Sequence, residues 1–469
     1  MTTQDKFLQS STATNRSIAS RLTETASVKD FGSLGDGVSD DTAAIQACVD
    51  YLAIAGGTAT IPNGTYIITS AIVLPRSPNV SLVGESAFHT IIENTSATTS
   101  NVIEFDTTST GIVSKCRISD LQLKITNAGN DGIGLHMSNN ASGNGFRWMF
   151  LENLYLLGNN VTGSVGVQVE GAQQSTFNGV ISRDFDFSFK LLKVNKRSSA
   201  NTFISCTGHT ATTANWFITG CRTSTFIRCR TEGTSTNAFY LNDTASGQDT
   251  LGNSFIHCST EDDHAGADFH LENVANQNFI ATGVGTNSTG DGFTLIGADQ
   301  CSFTGCLASD HVGVGKFSVK IDAASVSNVF YGMDIIDNNY EDLGIAGVLQ
   351  LLDANYPTIV GKPNATSVIS LDNTNNNDEL ETYEAGLVEV DATAGNTTIL
   401  LPRLNSRSHR IGIEVEYIKT DASANVVGMK PTTAGGGDTI NGSSSALFLT
   451  AQWESAKFRA GNNGWVRLY

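Results

Sequence analysis

Apolar residues recur along this chain in short alternating runs, not at helical spacing. The clearest run is NTFISC at Asn201 to Cys206, which returns as STFIRC at Ser224 to Cys229 and as NSFIHC at Asn253 to Cys258. Weaker copies begin at Ser175 (STFNGV), Gln277 (QNFIAT), Cys301 (CSFTGC) and Asn328 (NVFYGM). Together they place Phe at 177, 203, 226, 255, 279, 303 and 330, a period of 23 to 29 residues. A second apolar phrase interleaves with the first: GVQV at Gly166, WFIT at Trp216, AFYL at Ala238, DFHL at Asp268, GFTL at Gly292, KFSV at Lys316 and GVLQ at Gly347. At least two alternating strands per repeat, divided by Gly, Asn and Asp turns, predict an all-β chain built as a right-handed parallel β-helix, each coil pairing with the next. Leucine-rich repeats share the period, but their LxxLxL frame is missing and the repeated apolar residue is Phe.

The same frame gives the cysteines a place. Cys206, Cys229, Cys258 and Cys306 each follow the repeat Phe by three residues, so stacked coils put them in one interior column. They read as small buried residues and not as disulfides or metal ligands. Tyr240 and Trp216, beside the second phrase, read as core. Ahead of the repeats, Ile45, Cys48, Val49 and Leu52 fall at helical spacing after Asp40, a well-placed N-cap, which predicts one short helix plugging the first coil. Strands TATIP and TYIIT follow around an Asn63-Gly64 turn. Residues 1–27 are polar and read as an arm. Residues 28–370 read as the β-helix with its N-terminal cap and the Asn-rich 371–382 as a linker. Residues 383–469, with alternating strands such as IGIEVEYI and ALFLTA, read as a β-sandwich-like domain.

Composition narrows the function. Of 469 residues, 28 are Lys or Arg and 46 are Asp or Glu, a formal charge of −18, which argues against nucleic acid as a partner. The start lacks the apolar core of a signal peptide and no segment approaches the length of a membrane span, so the chain reads as made in the cytosol and not inserted in a membrane. No tightly spaced Cys and His set suggests a metal, and no cofactor is expected.

Between Val28 and Thr69 the chain reads VKDFGSLGDGVSDDTAAIQACVDYLAIAGGTATIPNGTYIIT. Its Asp-Phe-Gly, Gly-Asp-Gly, Asp-Asp-Thr-Ala-Ala-Ile-Gln and Gly-Thr-Tyr, in this order, resemble the opening of the pectate-lyase-like superfamily as found in bacteriophage tailspikes. The stretch GGGDTINGSSSALFLTAQWESAKFRAGNNGWVRL resembles small C-terminal domains of phage tail fibres and tailspikes, which help to trimerise the protein or bind sugar. The resemblance implies a homotrimeric virion tail protein, attached to the tail or to another tailspike through its N-terminal arm. Its partner would be a bacterial surface polysaccharide, capsule or O-antigen. The fold hosts lyases, hydrolases, epimerases and plain binders, so it does not choose a reaction. The polygalacturonase branch carries Asn-Thr-Asp, Asp-Asp, Gly-His-Gly and Arg-Ile-Lys; only an Asp-Asp, Asp262-Asp263, is present here, and that active site is not carried over.

Aligning the coils on the repeat Phe also aligns Arg183, His209, Glu232, Glu261, Gly285 and Ser309, one per coil, with Asp262, Asp263 and His264 alongside. Stacked carboxylates repel, which favours proton retention by one of them, as a general acid requires. Glu232 and Glu261 are therefore the expected catalytic pair for glycoside hydrolysis, with Asp262 and Asp263 as substitutes. Arg183, His209, Arg230, His264, Asp310 and His311 are the expected substrate contacts. A lyase, with His209 or a basic side chain as the base, is the rival chemistry. A non-enzymatic receptor-binding tail protein and a free polysaccharide-degrading enzyme are the other readings.

Overall fold

The computed structural model describes residues 25–335 apart from 141, 144, 234, 244–248, 262–263, 286–288, 309–315 and 323. Beyond these it describes 340–342, 348–352, 357–360, 368–369, 386–390, 397–401, 414–419, 427–431, 440–441, 445, 447–452, 454–461 and 464–468. Most of the expected N-terminal arm and the whole expected linker lie outside the described residues. Among the described residues no helix is long and apolar enough to cross a membrane.

The repeats fold as a parallel β-helix. One coil shows how. Thr202–Ile204 runs to a corner at Ser205, Thr207–His209 runs to a turn at Thr210, and Ala214–Ile218 forms the second face. After Gly220, Cys221–Arg222 leads through a corner at Thr223 into Thr225–Ile227, which pairs in register with Thr202–Ile204. Ser205, Thr210 and Thr223 all have φ between +46° and +52°, so the sharp bends are made by single left-handed residues at some local cost. The second face continues through an 11-stranded sheet, one strand per coil, from Ile72–Leu74 to Tyr340–Asp342.

Stacking equal positions fills the core. Phe177, Phe203, Phe226, Phe255, Phe279 and Phe303 form one column of parallel rings with centroids 4.3 to 4.9 Å apart. Phe189, Trp216, Phe239, Phe269 and Phe293 form another on the second face. The columns meet edge-to-face, as where Trp216 lies 5.6 Å from both Phe203 and Phe226. All eight cysteines are buried and unpaired. In the column, the Cys206, Cys229, Cys258 and Cys306 thiols donate to the carbonyls of Phe177, Phe203, Phe226 and Phe279, each one coil back, and the Thr282 hydroxyl does the same to Phe255. The Asn that opens the repeat phrase is equally structural. Buried Asn201, Asn253 and Asn328 each donate to a carbonyl of the preceding coil at 2.9 Å, to Ala172, Cys221 and Ala298 respectively.

Three expectations change in detail. Trp216 is in register with Phe189 and Phe239, so WFIT sits one residue out of step with AFYL, and Tyr240 pairs with Phe217 on the outer surface and not in the core. The helix, α1, spans Thr42–Leu52 and buries the four expected residues, but its N-cap is Asp41. The Asp41 carboxylate accepts from the Leu34 and Gly35 amides, while Asp40 accepts from Thr42 and Thr69. The strands flanking Asn63-Gly64 do not form a hairpin: Gly57–Ile61 pairs parallel with Val80–Gly84, and Gly64–Ile68 with Thr90–Asn94.

Thr25–Ser27 already pairs with Thr58–Thr60, so the solenoid begins before Val28. The chain divides into two compact units, the first holding the solenoid and the second Val329–Gly332 with Ala346–Tyr469. In the second, Val348–Leu352 pairs antiparallel with Pro357–Val360. Later strands form a five-stranded and a three-stranded sheet.

Truncating one ring of the column should be costly. Phe226→Ala is expected to destabilise the solenoid by about 3–5 kcal/mol, read as a lower midpoint in chemical denaturation. A turn supplies a pH signature. The Ser109 and Thr108 side chains and then their amides hold the Asp106 carboxyl down at about 2, against an ordinary 3.8. A lowered folded value stabilises the fold above the ordinary value and is lost as pH falls through the lowered one. The stability gap between wild type and Asp106→Asn should therefore close between about pH 4 and about pH 2 in thermal melts.

Candidate active site

Register pairs Arg183 with His209 and His209 with Glu232 on successive coils. Thr231 pairs with Thr260, and the Glu261 amide donates to the Thr231 carbonyl at 3.0 Å, which puts Glu261 one coil beyond Glu232. The stacked carboxylates are joined by a cation. Arg230 Nη2 lies 2.5 Å from Glu232 Oε1 and 2.9 Å from Glu261 Oε1. The repulsion expected between the two Glu is thus offset by a shared guanidinium on the neighbouring outward position. His209 Nε2 stands 3.6 Å from the other oxygen of Glu232, and its Nδ1 contacts the Thr210 hydroxyl. Arg230 Nε is buried without a partner among the described residues.

Beside this ladder an open hollow of about 410 Å³ is lined by Asn160, Thr210, Ala211, Thr212, Ser235, Thr236 and Ala265. Its position follows from the turn: the chain leaves the Glu232 strand at Gly233, whose φ of +75° lets it pass close to Thr210. Buried Asp186 anchors one wall, accepting from the Thr212 and Thr213 hydroxyls at 2.5 and 2.6 Å and from the Gly163 amide at 2.9 Å. Burial pushes the Asp186 carboxyl up, but these donors outweigh it and hold it below the ordinary value.

The other expected residues are less central. Arg183 turns to Asp184 at 3.1 Å. His264 is 0% exposed: its ring bonds with the Ser235 hydroxyl at 2.8 Å and faces Thr231 inside the coil, so in this conformation it is a buried packing group and not a surface contact. Asp262, Asp263, Asp310 and His311 lie outside the described residues. The hydroxyl wall of the hollow was not anticipated. Its signal was the Thr-Ala-Thr-Thr that follows His209 and the Ser-Thr that follows Thr234.

Residues 25–117 match the family described as rhamnogalacturonase A/epimerase, pectate lyase-like. Within the sequence comparisons, the chain is 47% identical over 81 residues to mannuronan C5-epimerase AlgE1 of Azotobacter vinelandii, which is 16% of this chain and only 6% of that protein. Over the whole fold it is similar to the gp42 tailspike of Acinetobacter phage vb_AbaP_AS12, with a TM-score of 0.51 at 13% identity, covering 95% of this chain and 82% of the other. It is also similar to tailspike protein 3 of bacteriophage CBA120, with a TM-score of 0.53 at 13% identity, covering 92% and 62%. The chain shares the parallel β-helix fold of these two structures, and its first coils are pectate-lyase-like. The family match ends at residue 117, before the first rung of the ladder, Arg183. What the match describes is the capping helix and the first coils, and the ladder lies beyond it.

Replacing Arg230 tests the ladder's electrostatics. Arg230→Leu should lower stability by up to about 1 kcal/mol at neutral pH, where the two carboxylates face each other without a shared cation. The loss should shrink at high salt, which screens these exposed charges, read from thermal melts at low and high ionic strength.

Proposed function

We propose that the protein is a phage tailspike that binds and cleaves a bacterial surface polysaccharide, capsule or O-antigen, by hydrolysis of a glycosidic bond. The observation that carries this reading is the Glu232–Arg230–Glu261 clamp, two carboxylates set on successive coils, with the turn that follows the Glu232 strand leading to Ser235 and Thr236 in the lining of a hydroxyl-rich hollow. Glycoside cleavage needs one carboxyl to protonate the leaving oxygen and one carboxylate to act as nucleophile or to activate water. Glu232, with His209 against its second oxygen, takes the first role. Glu261, the more exposed of the two, takes the second, and Arg230 holds both. The Thr210, Thr212, Ser235 and Thr236 hydroxyls and Asn160 orient the sugar, and Asp262 and Asp263 follow Glu261 directly in the chain.

The tailspike fold supports placing this chemistry on a virion tail, and the proposal includes a homotrimer attached through the N-terminal arm. A lyase is the second reading, favoured by one contact: His209, 3.6 Å from Glu232, bonds through Nδ1 with the hydroxyl of Thr210, which lines the hollow, and could serve as the base. The sequence likeness to an epimerase belongs with it as a hint at uronate substrates.

Incubation with a panel of capsules and O-antigens, followed by mass spectrometry of the products, separates these readings. Water-added oligosaccharides are expected. Unsaturated products that absorb in the ultraviolet establish the lyase, and binding without cleavage establishes a receptor-binding protein. Glu232→Gln and Glu261→Gln should keep the fold while lowering depolymerisation about 100- to 10,000-fold. Full activity in both variants would falsify the assignment of the ladder.

A further inference from the structure

Each coil of the ladder turns the corner of the first face on one left-handed residue, four positions before its rung. On six successive coils this residue is Gly179, Ser205, Arg228, His257, Ala281 and Gly305, with φ between +48° and +62°. The conformation is free of strain for Gly, and among the other residues Asn, Asp and His tolerate it best. Arg has no such advantage. Four of the six coils use a small residue here. The two that carry a large cationic or basic one are the coils of the paired carboxylates: Arg228 precedes Glu232 by four residues, and His257 precedes Glu261 by four.

Register sets Ile227 against Ile256 and Arg230 against Ser259, so Arg228 and His257 stand one coil apart, about 4.8 Å at the backbone. Both are exposed, and neither side chain makes an ion pair or a hydrogen bond among the described residues. Nearby cations are engaged: Arg183 with Asp184, Arg197 with Asp249, and Arg230 with both ladder carboxylates. Residues 183–230 hold eight Lys or Arg against two Asp, in a chain whose formal charge is −18. Positive charge is therefore concentrated on the coils that bear the ladder, and at Arg228 it is left without an acidic partner among the described residues. The fold gains nothing from a long cationic side chain at a strained corner, whereas a bound anion does.

We propose that Arg228 and His257 bind an anionic group of the polysaccharide, a carboxylate or a phosphate, on the sugar next to the one held at Glu232 and Glu261, and so select an acidic polymer. The backbone from Arg228 to Arg230 spans about 7 Å at most, of the order of one sugar unit. A guanidinium fork takes two oxygens of one such group, and an imidazole N–H on the next coil adds a donor. The two side chains also offset the repulsion that a carboxylate pair exerts on an anionic chain. The inference deepens the polysaccharide reading above and rests on it.

The panel is divided into uronate-bearing, phosphate-bearing and neutral polymers, with a carboxyl-reduced copy of each uronate polymer. Binding is measured by affinity electrophoresis on the Glu232→Gln chain, alone, with Arg228→Gly, and with Arg228→Gly and His257→Ala together. Thermal melts accompany each variant. An acidic polymer should bind, with affinity about tenfold weaker in the single added change and about thirtyfold weaker in the double one. Added salt should weaken binding of the parent more than that of the variants. The melting temperature of Arg228→Gly should be equal or higher, since Gly relieves the corner. Loss of binding on carboxyl reduction assigns a carboxylate, and a phosphate-bearing polymer with the same variant losses assigns a phosphate. Unchanged affinity in both variants, or binding of neutral polymers alone, overturns the anion site and leaves the cleavage reading standing. A melting temperature that falls together with affinity makes Arg228 a packing residue and also overturns it. A wild-type chain that binds no polymer of the panel overturns both readings.

Discussion

Parallel backbone hydrogen bonds lock equal positions of successive coils about 4.8 Å apart, and every other feature of the solenoid inherits that register. A favourable residue at one position is therefore repeated above and below itself. Rings stack on rings, thiols donate to the carbonyl one coil back, and buried Asn side chains close the corners. The same rule multiplies unfavourable choices, since a charge repeated at one position faces its own kind at short range.

The outward ladder shows how that hazard is met. Glu232 and Glu261 stand on adjacent coils, and Arg230 lies between them at ion-pair distance from both. All three side chains are 30% exposed or more, so water also screens them and the arrangement stabilises the fold only modestly. Its larger effect is geometric, because a planar guanidinium with two carboxylates on one nitrogen fixes how they stand relative to each other. Buried Asp186 fixes the Thr212 wall of the hollow by taking three donors.

The two outer faces divide the surface by chemistry. Acid, base and small hydroxyl groups gather where the first face turns into the second. Half-buried rings with interspersed amide and carboxylate groups occupy the second face itself. That separation arises because the turn residues, Thr210 and Gly233 among them, change the direction of the chain and so change which side chains look outward.

Sequence alone determined the solenoid, because a Phe every 23 to 29 residues with Cys three positions later has one economical explanation, coils stacked in register. It also determined which residues share the ladder, since Arg183, His209, Glu232 and Glu261 follow the same Phe at the same distance, across one left-handed residue, Gly179, Ser205, Arg228 or His257, at the same point of each coil. Only the tertiary structure decided what lies past the turn. Strict alternation fails at the entry to the second face, where Asn215 and Trp216, or Asp268 and Phe269, are consecutive and both 0% exposed. That one extra inward residue shifts the parity of everything after it. It turns Tyr240 outward, and the same turn leaves His264 inside. The contact of Arg230 with two coils at once was likewise invisible, because reach across coils belongs to a side chain's direction in space and not to its place in a repeat.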